Sequence, residues 1–196
     1  SGATADAWSG YLRSILACLH APAMREQPTL VKCVTRLLPR VTRGSPSHIL
    51  HLIDHFHQYA DFEAYDERLH ADEAHTFGLE CLVATFTSPK PASPLARRLN
   101  AALLAFGLPK AAALYIISRL PANMDAGSEQ WGAALARPAL PFVLQLLGGV
   151  AKGDVDVQQV LLSAAPAAQA GDTGGGGGAS ELMTRLHALE RQSSSA

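Results

Sequence analysis

Six of the eight histidines in this chain crowd into one stretch: His48, His51, His55, His57, His70 and His75, the last two beside Asp72 and Glu73. Imidazole is the commonest side-chain ligand of transition metals, and His51 and His55 stand one helical turn apart, a spacing that can hold zinc from one helix face. Joined by His70 and His75, with Asp72 or Glu73, they write out a ligand set for a small metal-dependent enzyme on a helical bundle. The stretch itself reads His51-Leu52-Ile53-Asp54-His55, without a glutamate after the first histidine, so the metalloprotease motif is absent. A plainer reading is preferred, in which these histidines form the solvated face opposite Ile49, Leu52, Ile53 and Phe56. A pH-responsive surface is the third reading. No metal ligand is assigned.

Other reactive side chains point the same way. Asp61, Glu63, Asp66 and Glu67 could be paired for acid–base work. They fall in a loop and helix start, where carboxylates suit the helix dipole, with no nucleophile or apolar pocket nearby. No serine sits in a Gly-x-Ser-x-Gly elbow, and the glycines 174–178 lack the Lys-Ser/Thr ending of a phosphate loop. Cys18, Cys33 and Cys81 are an odd number with no short paired spacing, which argues against a disulfide framework and a zinc knuckle. Their apolar surroundings predict buried, inert thiols in a reducing compartment, cytosol or nucleus. The expectation is a chain without catalytic residues and without a cofactor.

The elements that must position these groups are helical. Charged residues are only 17% and aromatics 6%, with alanine filling much of the rest, a balance that favours close-packed helices over a sandwich or barrel. Apolar stripes at helical spacing run through Trp8, Leu12, Ile15, Leu16 and Leu19. They continue through Leu30, Val31, Val34, Leu37 and Leu38 (Pro28 opening that helix and Pro39 stopping it), and through Ile49, Leu50, Leu52, Ile53 and Phe56. Ser45-Pro46 and Ser93-Pro94 are start signals, a capping hydroxyl followed by a residue that lacks the orphan amide hydrogen. An acidic, aromatic loop is expected over 59–70 and a helix over 71–86. Gly107 is a left-handed stop, and Pro109 begins the next helix. A short helix over 128–136 holds Trp131, another runs from Pro138 to about Val150, and Asp154 caps one carrying Val157, Val160, Leu161 and Leu162.

Serial helix–turn–helix units of similar size predict an all-α fold, an α-solenoid of armadillo or HEAT type, with a closed helical bundle as the alternative. Residues 3–165 form the helical-repeat segment. Residues 166–179 read as a glycine-rich disordered linker or insertion, and 180–193 as a C-terminal helix, capped by Ser180, packing on the same segment.

Charge narrows the partners. With 16 basic and 17 acidic residues the formal net charge is −1, against a nucleic-acid binder. The densest basic run, Lys32, Arg36, Arg40 and Arg43, reads as a solvated helix face, a phosphate-binding patch being the weaker alternative. No membrane span is expected, because Gly107, Pro109 and Lys110 interrupt the longest apolar stretch. No secretory leader is expected from the polar start of the sequence, and the chain is expected to be a piece of a longer protein.

One string carries a resemblance: Arg137-Pro138-Ala139-Leu140-Pro141-Phe142-Val143-Leu144-Gln145-Leu146-Leu147-Gly148-Gly149-Val150-Ala151, with Trp131 shortly before it. It closely resembles a segment of the giant UBR-box ubiquitin ligases, the family of the plant protein BIG and the fly protein Calossin (Pushover). Gln158 or Gln159 stands where that family has a threonine–glutamine pair. Leu186-His187-Ala188-Leu189-Glu190 is similar to its Leu-His-x-Leu-Glu pattern, with Ser193, Ser194 and Ser195 beyond, and 59–66 is loosely similar to an upstream segment. Residues 166–179 are a departure, an insertion where the family runs a short connection.

The resemblance implies an armadillo-like piece just before the family's C-terminal ligase module, in a parent chain that is an E3 ubiquitin transferase. The zinc-binding catalytic residues and the UBR box lie outside the matched segments, so none carries over. The matched residues, Trp131, Arg137, Pro138, Leu140, Pro141, Phe142, Leu147, Leu186, His187, Leu189 and Glu190, read as structural. The implied partners are other segments of the same giant chain, calmodulin and a ligase cofactor, with no residue assignable to either of the last two. A stand-alone helical-repeat adaptor is the remaining alternative.

Overall fold

A computed structural model describes residues 2–67, 73–120, 129–164 and 182–187. Among these every regular element is helical: α1 (Gly2–Leu19), α2 (Pro22–Arg25), α3 (Pro28–Val41), α4 (Pro46–His57), α5 (Phe62–Glu67), α6 (Glu73–Thr87), α7 (Pro94–Ala105), α8 (Leu108–Arg119), α9 (Glu129–Leu135), α10 (Leu140–Ala151) and α11 (Val155–Ser163). Residues 182–187 are also helical. The helices lie in two rows. In one, α3 packs on α6 and α6 on α10; in the other, α1 meets α4, α4 meets α7, and α8 follows to meet α11. Pairs such as α1–α3, α4–α6 and α8–α10 join the rows, which is the layered arrangement of a helical-repeat solenoid. The apolar core runs between them through Leu38, Leu52, Phe56, Leu82, Leu99, Ile116, Val143 and Leu146.

Proline and capping chemistry set most starts. Proline occupies the first turn of α2, α3, α4, α7, α8 and α10, where its missing amide hydrogen costs no intrahelical bond. Ser93 accepts from the Ala96 amide at 3.2 Å and Asp154 from the Val157 amide at 3.2 Å, as their positions predict. Gly107 adopts the left-handed conformation at φ 72° between α7 and α8. Ser45 departs from expectation: its hydroxyl meets Ser47 Oγ at 3.1 Å instead of capping α4.

Several expectations are corrected. Pro39 does not stop α3 but lies buried within its last turn, where it forfeits one ladder bond and the helix runs on to Val41. Thr42 then closes the end, donating to the Pro39 carbonyl at 2.6 Å and accepting from the Gly44 amide at 3.3 Å. The first turn of α10 holds Pro141, while Pro138 sits in the preceding turn. Leu30, Leu37 and Leu50 are exposed, because each stripe is narrower than its run of leucines. Cys18 and Cys33 are exposed and Cys81 alone of the three is buried. The helix end expected at about Val150 is found at Ala151, with Gly148 and Gly149 inside α10. A Cβ on Gly149 would stand 2.3 Å from Thr87 Cγ2, so this glycine is what lets α10 lie close against the end of α6.

The proposed linker 166–179, the Ser180 cap, Leu189, Glu190 and the serines beyond lie outside the described residues. Leu182, in the helical residues 182–187, is buried in the common core. No single helix among the described residues is long and apolar enough to cross a membrane; α7 and α8 would do so only together and are bent by 65° at their junction.

Candidate functional site

The stretch expected as an acidic, aromatic loop is the short helix α5, and it supplies a buried carboxylate. Phe62, Tyr65 and Asp66, at helical spacing, all turn inward. Asp66 accepts from the Tyr115 hydroxyl at 2.5 Å (α8), from the Ala139 amide at 3.0 Å and from Arg137 Nη1 at 3.3 Å. It ties three separate parts of the chain together, and two of its donors belong to the Arg137–Ala151 string. Burial, then the hydrogen bond to Asp66 and its charge, raise the pKa of the Tyr115 hydroxyl, so Tyr115 acts only as a donor. Within the string Leu140 and Leu147 are buried, whereas Phe142 is half-buried against the edge of Tyr65. Trp131 falls in α9, with its side chain outside the described residues.

Asn100 makes a second tie. It donates to the Val150 carbonyl at 2.9 Å and to Asp154 Oδ2 at 2.8 Å, fastening α7 to the corner between α10 and α11. Neither tie was read as such in the sequence. The available signals were an acid in register with Phe62 and Tyr65, and an asparagine beside the inward stripe of Leu99 and Leu103.

The histidines separate. His51 is exposed, while His55, one turn further along α4, is half-buried and directed to a different neighbour. His48 is buried and His57 lies against Phe106 at 5.9 Å. His70 and Asp72 lie outside the described residues, and Glu73 is exposed. His55 instead meets His20, a histidine the spacing did not single out, at 4.9 Å between ring centroids.

Tyr59 stacks on His20 at 5.4 Å and meets His75 at 5.3 Å, with Phe77 edge-on to His20. Gly78 makes the seat, since a Cβ there would stand 2.3 Å from the Tyr59 ring. Burial, then the nearby His55 and Arg25, push the His20 pKa down to about 4, and burial lowers that of His55 against the opposing pull of Asp54. Both rings are therefore neutral near pH 7 and act as aromatic packing. Among the described residues no group of three His, Cys, Asp or Glu side chains comes together as a metal would require. His187 is exposed on 182–187 and Leu186 is half-buried.

The basic run also divides. Arg43 swings its guanidinium over the Trp8 ring at 4.5 Å. Lys32, Arg36 and Arg40, at successive turns of α3, line a groove of about 460 Å³ whose far wall is Thr87, Ser88 and Gln145.

The comparisons agree with the string. The chain is 28% identical over 172 residues to a protein of Dictyostelium discoideum named a probable E3 ubiquitin-protein ligase, covering 88% of this chain and 3% of that protein. It is 29% identical over 143 residues to the auxin transport protein BIG of Oryza sativa subsp. japonica (64% and 3%). With the protein purity of essence of Drosophila pseudoobscura pseudoobscura it shares 20% over 144 residues (71% and 3%). The chain thus spans about 3% of the length of these relatives. No solved structure matches. Residues 4–166, nearly all of the helical array, match the family described as the E3 ubiquitin-protein ligase UBR4 TPR-like domain, and the chain belongs to that family, a segment of the giant UBR-type E3 ligases.

Proposed function

We propose that this chain is a non-catalytic scaffold segment of its giant ligase, holding the ligase module at a fixed distance and angle from the substrate-recognition parts. The observation that carries the reading is the use made of buried Asp66. Its oxygens are committed to a hydroxyl, a backbone amide and a guanidinium from α8 and the α10 entrance. A carboxylate so engaged fixes helices against one another and is not free to exchange protons with a substrate. Asn100 supports the same reading at the α7–α10–α11 corner. A stiff arm with sparse chemistry is what positioning requires.

In this reading the partners are neighbouring segments of the same chain and, through the family, calmodulin and a ligase cofactor. No cofactor is bound by the segment itself, and the site of action is the cytosol, with the nucleus as a second location. The test has two arms. The chain alone, given activating enzyme, conjugating enzyme and ubiquitin, transfers no ubiquitin; transfer would overturn the proposal. In the full-length ligase, a Gly-Ser linker of equal residue number in its place abolishes substrate ubiquitylation while the ligase module still discharges the loaded conjugating enzyme. Undiminished substrate ubiquitylation with the flexible linker would show that no rigid spacing is needed.

A further inference from the structure

We infer that the groove between α3, α6 and α10 is a binding site for an acidic segment of a partner protein, a surface distinct from the scaffold contacts above. Charge is unevenly spread in this nearly neutral chain. Residues 1–50 hold six Lys and Arg against two Asp and Glu, and three of the six line this one groove. Lys32, Arg36 and Arg40 are all exposed, and none has an ion-pair partner among the described residues. Among those residues the lining contains no carboxylate to neutralise them. Three cations along one wall repel each other by an amount an anionic occupant would remove.

The geometry selects the occupant. Four helix residues rise about 6 Å, so the three cations span about 12 Å of α3. Carboxylates on alternate residues of an extended strand recur every 6.6–6.8 Å or so, and three of them span about 13 Å. An extended segment with acidic side chains at alternate positions therefore meets Lys32, Arg36 and Arg40 in register. The opposite wall is neutral and polar. Thr87 and Ser88 donate their hydroxyl hydrogens to the Val83 and Thr85 carbonyls and offer oxygen acceptors to a peptide backbone, while the exposed Gln145 amide can both donate and accept. No aromatic ring is in the lining to stack a base, and the whole chain carries a formal charge of −1, which disfavours nucleic acid here.

The probe is a fluorescein-labelled nine-residue peptide with glutamate at alternate positions and alanine between. Fluorescence anisotropy is read on the whole 196-residue chain at 50 and 200 mM salt. The glutamate peptide binds, its glutamine counterpart binds at least tenfold more weakly, and the higher salt weakens the glutamate complex. Arg36→Glu loses at least tenfold in affinity, Arg36→Lys retains most of it, and Lys110→Glu, on exposed α8 surface outside the groove, leaves it unchanged. Both side chains are exposed, so thermal melts of the three variants match the parent and separate lost binding from lost folding. Equal binding of the glutamate and glutamine peptides, or unchanged affinity in Arg36→Glu, would overturn the assignment. So would a single-stranded oligonucleotide that binds as tightly as the peptide.

Discussion

Replacing Asp66 by alanine tests the central tie of the structure. The substitution removes the acceptor of three hydrogen bonds while leaving their donors in place. Tyr115 is only 2% exposed, and a buried hydroxyl bonded to a charged group accounts for about 1.5–3 kcal/mol. The Ala139 amide is left without its acceptor, at about 1–3 kcal/mol. Arg137 contributes less: its side chain is 32% exposed against 4% for Asp66, so water takes up its lost partner and under about 1 kcal/mol is expected. These terms overlap, because one relaxation of α5 serves all three donors, and the net cost is about 3–5 kcal/mol, the range for removing one side of a buried charged pair.

For a domain of this size each kcal/mol lowers the melting temperature by about 2–4 °C, so Asp66→Ala melts roughly 10 °C below the parent in a circular-dichroism scan. Asp66→Asn keeps one acceptor oxygen and loses about half as much. The comparison is Glu63→Ala on the same helix, which breaks only the exposed pair with Arg119 and costs under about 1 kcal/mol. Equal melting of the Asp66 and Glu63 variants would refute the claim that Asp66 organises the fold.

Gly149→Ala is expected to destabilise by about 1–3 kcal/mol in urea denaturation, because its methyl would collide with Thr87, whereas Gly148→Ala, which meets nothing within 4 Å, stabilises by up to about 1 kcal/mol through helix propensity. The folded-state pKa values of His20 and His55 lie below the unfolded value of about 6.5, so below that pH the unfolded chain binds more protons. Stability is therefore full above pH 6.5 and falls as pH drops toward about 4, and urea midpoints from pH 7.5 to 4.5 show a shallower fall in His20→Gln. The Cys81 thiol, raised to about 12 by burial and then by Glu80, resists iodoacetamide in the native chain while exposed Cys18 and Cys33 react; mass spectrometry finds two labels without denaturant and three with it.

Sequence alone determined the local grammar of this protein. The helix class, the proline starts, the Ser93 and Asp154 caps and the Gly107 stop follow from bonds within one turn of the chain, so they are legible residue by residue. The family string was legible as well, because identity and order need no coordinates. Tertiary structure decided which inward-looking residues find a partner. Leu30, Leu37 and Leu50 belong to apolar runs yet stay exposed, since each helix face is covered only where a neighbour lies. His51 and His55 have ideal metal spacing but face different surroundings, and His20 enters the cluster from another helix end. Asp66 looked like a solvated helix-start acid, because nothing near it in sequence is its partner. Tyr115 and Ala139 come to it from 49 and 73 residues away. A buried carboxylate's role is set by the donors that surround it in space, and only the packing of α5 against α8 and the entrance of α10 assembles them.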